Sequence, residues 1–322
     1  MKLSNIRDIL AVAEAGGLRA ASRKLGITQP TMTRSIRDAE NELGIVLFKR
    51  NANGVVPTDL GRIFIRRAIA VETELRKINE ELAQAQGKFT GQVSVAMSTA
   101  ASIALIPTVL KKFQKKYPDA VLKLTESLFH GIEADVQSGQ VDFFVGPFAA
   151  ETTTTSLRVE TLFEYRRSVI ARKGHPLAGA TSMKELRDVR WIRPSFSDRR
   201  DETDFETMFE QANLPPPDVV VHARSATMTL LAVANSDMFT VLPLQWLELS
   251  PSKQNICVIP LRETLYAAPV CIIRRADLPL TPLAEAFYDM VQKAGHNYQL
   301  QMEARRKSQL KDFDELLSSN TG

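Results

Sequence analysis

Two cysteines and four histidines in 322 residues leave this chain little with which to staple a fold or hold a metal. Cys257 and Cys271 lie in the apolar, strand-like runs "NICVIPL" and "PVCIIRR", where a buried inert thiol is expected rather than a disulfide or a redox sensor. His130, His175, His222 and His296 show no metal-ligand spacing, and neither a glycine-rich phosphate loop nor a G-x-S-x-G elbow occurs. Neither an enzyme nor a protein that uses a cofactor or metal is expected. No apolar run reaches the roughly 18 to 20 residues that a membrane span needs. The opening "MKLSNIRDIL" lacks the apolar core and small-residue cleavage site of a secretory signal, so a cytoplasmic location without a membrane partner is expected.

What is present is an ordinary globular composition, 44% hydrophobic and 24% charged, which excludes disorder and fibrous repeats. The length is about two to three times that of a usual domain, so more than one domain is expected. Residues 1–67 carry twelve basic against six acidic side chains, a larger surplus than the whole chain's +4, so the remainder is slightly acidic. That imbalance gives the first part a polyanionic partner and the second part none.

Within the basic part, Ile6, Ile9, Leu10 and Ala13 recur at helical spacing and predict a helix over 3–15 that ends at Gly16 and Gly17. A second helix covers about Leu18 to Leu25, and Gly26 permits a tight turn. Thr28 is a good N-cap for a third helix with Pro30 in its first turn. Met32, Ile36, Ala39 and Leu43 then form one apolar stripe, and Pro30, Thr33, Arg34, Arg37 and Asn41 fall opposite it. A helix-turn-helix of this kind can lay its exposed face in the major groove, where arginine forks suit guanine or phosphate, Gln29 suits adenine and Thr33 suits either. "IVLFKRNANGVVPT" reads as a hairpin with Asn53 and Gly54 at its turn, a basic wing whose Lys49 and Arg50 meet the sugar-phosphate backbone. Arg19 joins these candidate contacts.

From Asp59 to about Gln86 no proline occurs, and Phe64, Ala68, Val71, Leu75, Ile78, Leu82 and Ala85 are spaced 4-3-4-3-4-3. The spacing predicts a helix about 40 Å long with a heptad seam. The seam either packs on its own domain or pairs with a second subunit; polar flanks and the need to read two half-sites favour a homodimer. After Gly87, strand-like runs such as "QVSVAMS", "AVLKLTE", "DFFVGP", "RSVIARK", "VVVHAR", "FTVLP", "ICVIPL" and "PVCIIRR" alternate with helical patterns, which predicts an α/β fold with largely parallel sheets in two lobes around a cleft. Strand carboxyl ends are where such sheets place ligands. Ser98, Thr99 and Ser102 follow "QVSVAM" there, either as donors to a small organic anion or as plain helix caps.

The stretch "AASRKLGITQPTMTRSIRDAENELGIVLFKRNANGVVPTDLG" resembles the signature of LysR-type transcriptional regulators, and the similarity continues in order and spacing through "GHPLAG" to the C-terminus. Thr31 and Thr33 stand where that family usually has Ala and Ser, Ala39 where it has Leu, and Pro57 where an aliphatic residue is commoner, departures that bear on base preference and not on fold. The resemblance implies a winged helix-turn-helix over 1–58, a linker and dimerisation helix over 59–88, and an effector-binding domain over 89–296 like periplasmic binding proteins. Lobe I would span about 91–162 and 268–296, and lobe II about 163–267. It also implies double-stranded operator DNA as partner, pairing of dimers into tetramers, and RNA polymerase as a further candidate partner. The effector would sit among Ser98 and Thr99, Gly146 and Phe148 after Val145, Ser195 and Phe196 of "RPSFS", and Ser225 of "RSATM"; Ala100 and Ser102 join these by their place at the strand end, and His130 because "SLFHG" follows a strand and can face the cleft. Residues 297–322 extend past the usual end as a charged helix or tail. A transport protein and a DNA-regulated enzyme are the alternatives, and neither accounts for both halves of the chain.

Overall fold

The computed structural model describes residues 1–51, 54–149, 155–164, 166–194, 204–248 and 254–319, with backbone alone for 204, 266 and 305–319. Two compact units result, one of Met1–Lys88 with Gln137–Gln140 and one of Phe89–Val136 with Val141–Gly322. In the first, α1 (Leu3–Ala15), α2 (Leu18–Leu25) and α3 (Gln29–Leu43) surround a core of Ile9, Val12, Ala21, Met32, Ile36, Ala39 and Leu47. Gly26 ends α2 in the left-handed region at φ 66°, as the tight turn requires, and Thr28 Oγ1 accepts from Thr31 N at 3.3 Å to cap α3. Leu43, the last residue of the expected stripe, is exposed because α3 runs past the small core.

The wing is an antiparallel hairpin, β1 (Phe48–Asn51) and β2 (Gly54–Pro57), with Phe48 opposite Pro57. Its placement is over-determined by backbone contacts. Val55 N donates to Gly16 O at 2.9 Å, and a side chain on Gly54 would collide with that carbonyl oxygen. Glu40 reaches out of α3 so that Oε1 accepts from Leu47 N at 2.7 Å and Phe48 N at 3.2 Å. Helix α4 (Asp59–Ala85) starts at a Thr58 cap, where Oγ1 accepts from Gly61 N at 2.9 Å. Its heptad seam divides. Phe64 and Ala68 pack against Ile6 and Leu10 of α1 in the unit's own core, so Phe64 is not part of a free dimerisation face; Leu75 is half-buried, and Val71, Ile78 and Leu82 are exposed.

In the second unit, lobe I is a five-stranded sheet in the order β4 (Ala120–Glu126), β3 (Gly91–Met97), β5 (Phe143–Pro147), β13 (Val270–Arg275), β6 (Leu157–Phe163). Helices α5 (Thr99–Lys116) and α9 (Pro282–Ser319) cover one face, burying Val95, Leu105, Phe113, Phe143, Leu283 and Phe287. Helix α6 (Phe129–Gln137) covers the other with Phe129, Ile132 and Val136. The expected parallel sheet is mixed: β3 runs parallel to β4 and β5, whereas β13 is antiparallel to both β5 and β6 because it re-enters from the opposite lobe.

Lobe II centres on β7 (Arg166–Arg172), with β10 (Thr240–Pro243), β11 (Ile256–Val258) and β12 (Leu265–Tyr266) all antiparallel to it. A parallel pair, β8 (Arg190–Pro194) and β9 (Asp218–Ala223), joins through a bridge from Trp191 to Phe239. Helix α7 (Asp204–Gln211) places Phe205 and Phe209 edge-on to Trp191, and α8 (Ala226–Ala234) packs Leu230 and Val233 against Ile192 and Trp246. Residues 297–319 do not begin a separate element, because α9 runs unbroken from Pro282 to Ser319.

Candidate functional sites

On the first unit, Gln29, Pro30, Thr33, Arg34, Arg37, Asp38 and Asn41 line a shallow concavity along the solvent face of α3. The face is fixed from behind by Met32, Ile36 and Ala39, which are buried. Arg34 has 85% of its side chain exposed and lies 4.0 Å from Asp38, a pair too open to hold the guanidinium. Thr33 Oγ1 donates to Gln29 O at 2.9 Å, which leaves its oxygen as an acceptor. Thr28, Arg19 on α2, and Lys49 and Arg50 on β1 are exposed; Asn53 lies outside the described residues. Asp38 escaped the sequence reading although it shares the helical face of Arg34.

On the second unit, a cavity of about 600 Å³ lies between the lobes, within the size range of small-molecule sites. Of the residues expected at the effector site, Ser98, Thr99, Ala100, His130, Phe148 and Ser225 line it. Ser98 and Ser225 are also caps: Ser98 Oγ accepts from Ala101 N at 3.3 Å and Ser225 Oγ from Met228 N at 3.1 Å. Each hydroxyl is thereby aimed at a helix N-terminus while retaining a proton to donate. Ser102 does not line the cavity, since it sits one turn further along α5. Gly146 is also not on the wall; a side chain there would strike the Phe144 ring and Ser98 Cβ, so its bareness lets β5 lie close beneath the Ser98 turn. Ser195 and Phe196 lie outside the described residues.

Four charged residues also line it: Glu126 and Arg167 were missed, whereas Arg193 and Arg224 head the "RPSFS" and "RSATM" segments but were not singled out. Arg193 pairs with Glu206 of α7 at 2.6 Å, and Thr99 Oγ1 donates to Glu126 Oε1 at 2.6 Å. Leu128, Phe129, Phe205 and Trp246 supply apolar wall, and the Phe129 ring stands edge-on to Phe148 at 4.9 Å. Burial raises the thiol pKa of both Cys257 and Cys271 and so keeps them protonated at neutral pH, the opposite of a reactive sensor thiol. Among the described residues no group of His, Cys, Asp or Glu could hold a metal ion, and no helix is long and apolar enough to cross a membrane.

A winged helix-turn-helix carried on one chain with a two-lobed α/β unit that holds a ligand-sized cleft defines a class of proteins that couple DNA binding to a small molecule. Residues 3–62 match the family model "Bacterial regulatory helix-turn-helix protein, lysR family", and residues 86–295 match "LysR substrate binding domain". The chain belongs to the LysR family: it is a DNA-binding transcriptional regulator with a substrate-binding domain, and not an enzyme. Similar relatives include the HTH-type transcriptional regulator TdcA of Escherichia coli K12, 24% identical over 88% of this chain and 89% of that one, and GbpR of Azospirillum brasilense, 25% identical over 88% and 83%. Among solved structures, full-length CbnR in complex with its target DNA aligns with TM-score 0.69 at 21% identity, covering 91% of this chain and all of that one. A full-length OxyR variant from Pseudomonas aeruginosa aligns with TM-score 0.64 at 20% identity, covering 92% and 94%.

Proposed function

We propose that this regulator answers to a small organic acid held in the cavity between its lobes. The observation that carries the reading is the charge of the lining among the described residues: three arginines, Arg167, Arg193 (paired with Glu206) and Arg224, and one carboxylate, Glu126. Guanidinium forks recognise carboxylates by paired hydrogen bonds, and the apolar walls suit a hydrocarbon body. In this reading Arg34, Arg37 and Gln29 meet base edges in operator DNA, and Lys49 and Arg50 meet phosphate. Two copies act together as a cytoplasmic homodimer through Val71, Leu75, Ile78 and Leu82 of α4, pairing further into a tetramer that addresses RNA polymerase. The effector acts by preferring one arrangement of the lobes, because only unequal affinity for two states can shift their balance. Calorimetry with a panel of small carboxylates against the wild type and Arg224→Ala tests the reading. Acid binding that the substitution abolishes supports it, and acids that bind both proteins equally contradict it.

A further inference from the structure

The acid reading leaves one residue in the wrong place. Glu126 closes strand β4, in register beside Met97 of the parallel strand β3, so its carboxylate stands next to the N-terminus of α5 where an incoming anion would gain most from the free N–H groups. Thr99, the first residue of α5, has already given its one hydroxyl proton to Glu126 Oε1 at 2.6 Å. The lobe I end of the cavity therefore carries a negative charge beside the Ser98 hydroxyl and His130, and an acid docked against Glu126 would face like-charge repulsion. Arg167 on β7, Arg193 on β8 and Arg224 after β9 all belong to lobe II. Charge is thus separated across the cleft, with Leu128, Phe129, Phe148 and Trp246 among the residues that wall it.

We infer that the effector is a bifunctional acid, with an anionic group on the lobe II arginines and a hydrogen-bond donor, ammonium or hydroxyl, on Glu126. A carboxylate that is only an acceptor selects a donor, and a ligand lacking one desolvates Glu126 with no bond to offset it beyond that from Thr99. The inference rests on the acid reading above and adds the second group. It also gives Thr99 a role other than ligand donor: its bond holds the Glu126 carboxylate in one orientation.

The probes are benzoate, 4-hydroxybenzoate, 4-(aminomethyl)benzoate and benzylamine, titrated by calorimetry into the full-length wild type, Glu126→Gln and Arg224→Ala. Gln keeps the acceptor for Thr99 and removes the charge, and an unchanged melting temperature checks its folding. The wild type is expected to bind at least one bifunctional acid about tenfold more tightly than benzoate, the scale of one hydrogen bond to a charged group. Glu126→Gln should erase most of an ammonium's advantage, less of a hydroxyl's, and should bind benzoate more tightly than the wild type does. The better of the two bifunctional acids identifies the donor. Benzoate matching both bifunctional acids in the wild type, or an ammonium advantage that survives in Glu126→Gln, overturns the inference; if Arg224→Ala still abolishes acid binding in that case, the acid reading stands. Benzylamine binding as well as the acids, with Arg224→Ala without effect, overturns the acid reading itself. No binding of any probe to the wild type at millimolar concentration overturns both.

Discussion

On α3, Arg34 leaves 85% of its side chain in solvent, 4.0 Å from Asp38, whereas Arg193 of β8 keeps 20% exposed and is held 2.6 Å from Glu206. The same residue type is loose in one unit and fixed in the other. A duplex is a long polyanion whose condensed counterions are released by many contacts, so mobile exposed cations suffice to bind it and strong salt dependence follows. The small acid proposed for the cleft offers a single negative charge. To bind it selectively, guanidinium groups must be positioned in advance by partners such as Glu206, in a partly desolvated cavity where screening is weak. The acids differ in the same way: Asp38 lies beside an exposed arginine on α3, while Glu126 lines the cavity and Glu206 holds one of its arginines.

The largest effect is expected where the comparison assumes that two copies of α3 act together. Replacing Ile78 and Leu82 with Asp in the same chain places charge in the exposed α4 seam, and the protein should lose both its dimer and its high-affinity operator complex. Sedimentation alongside gel shift checks this; a doubly substituted protein that remains the parent oligomer would show the seam to be idle. Next, Arg50→Ala should weaken specific and random DNA alike and reduce the slope of log affinity against log salt by about 1, the signature of one lost phosphate contact. A change confined to specific sequence would transfer Arg50 from backbone to base recognition.

A smaller, purely structural effect belongs to the cap of α3. Thr28→Ala removes the acceptor for Thr31 N and should cost about 1 kcal/mol of stability in the DNA-binding unit, read as a lowered denaturation midpoint. The smallest effect concerns the thiols. With both pKa values raised by burial, Cys257 and Cys271 should react slowly with an alkylating reagent at pH 7 in the native protein and quickly once unfolded. Rapid native labelling would reopen a redox role.

The two units also differ in how much of them can be read from sequence. The winged helix-turn-helix is built from local signals, the Thr28 cap, the Gly26 turn and the stripe of Met32, Ile36 and Ala39, and each appears where its periodicity places it. In the second unit β6, β8 and β12 escaped, because "LRVETLF" and "RWIRP" mix charge with apolar residues and β12 is only two residues long. Helix α8 escaped for the opposite reason: "ATMTLLAVA" is apolar on all sides and has no amphipathic period. The cavity was half legible. Ser98, Thr99 and Phe148 follow from the family resemblance and the rule that ligands sit at strand carboxyl ends. That rule, applied to the neighbouring parallel strand, also reaches Glu126. Arg167 is on an antiparallel strand and carried no local signal; only the fold brings it to the cleft.

Selection of duplexes from a randomised pool, carried out in parallel with the wild type and with Arg34→Ala, tests most directly whether the exposed face of α3 reads sequence. The wild type should return a two-fold-symmetric consensus, and Arg34→Ala should return the same consensus with one position per half-site relaxed and affinity for the parent site reduced by about 1 to 3 kcal/mol. An unchanged consensus, with specific and random DNA weakened equally, would contradict the account and leave Arg34 a phosphate contact.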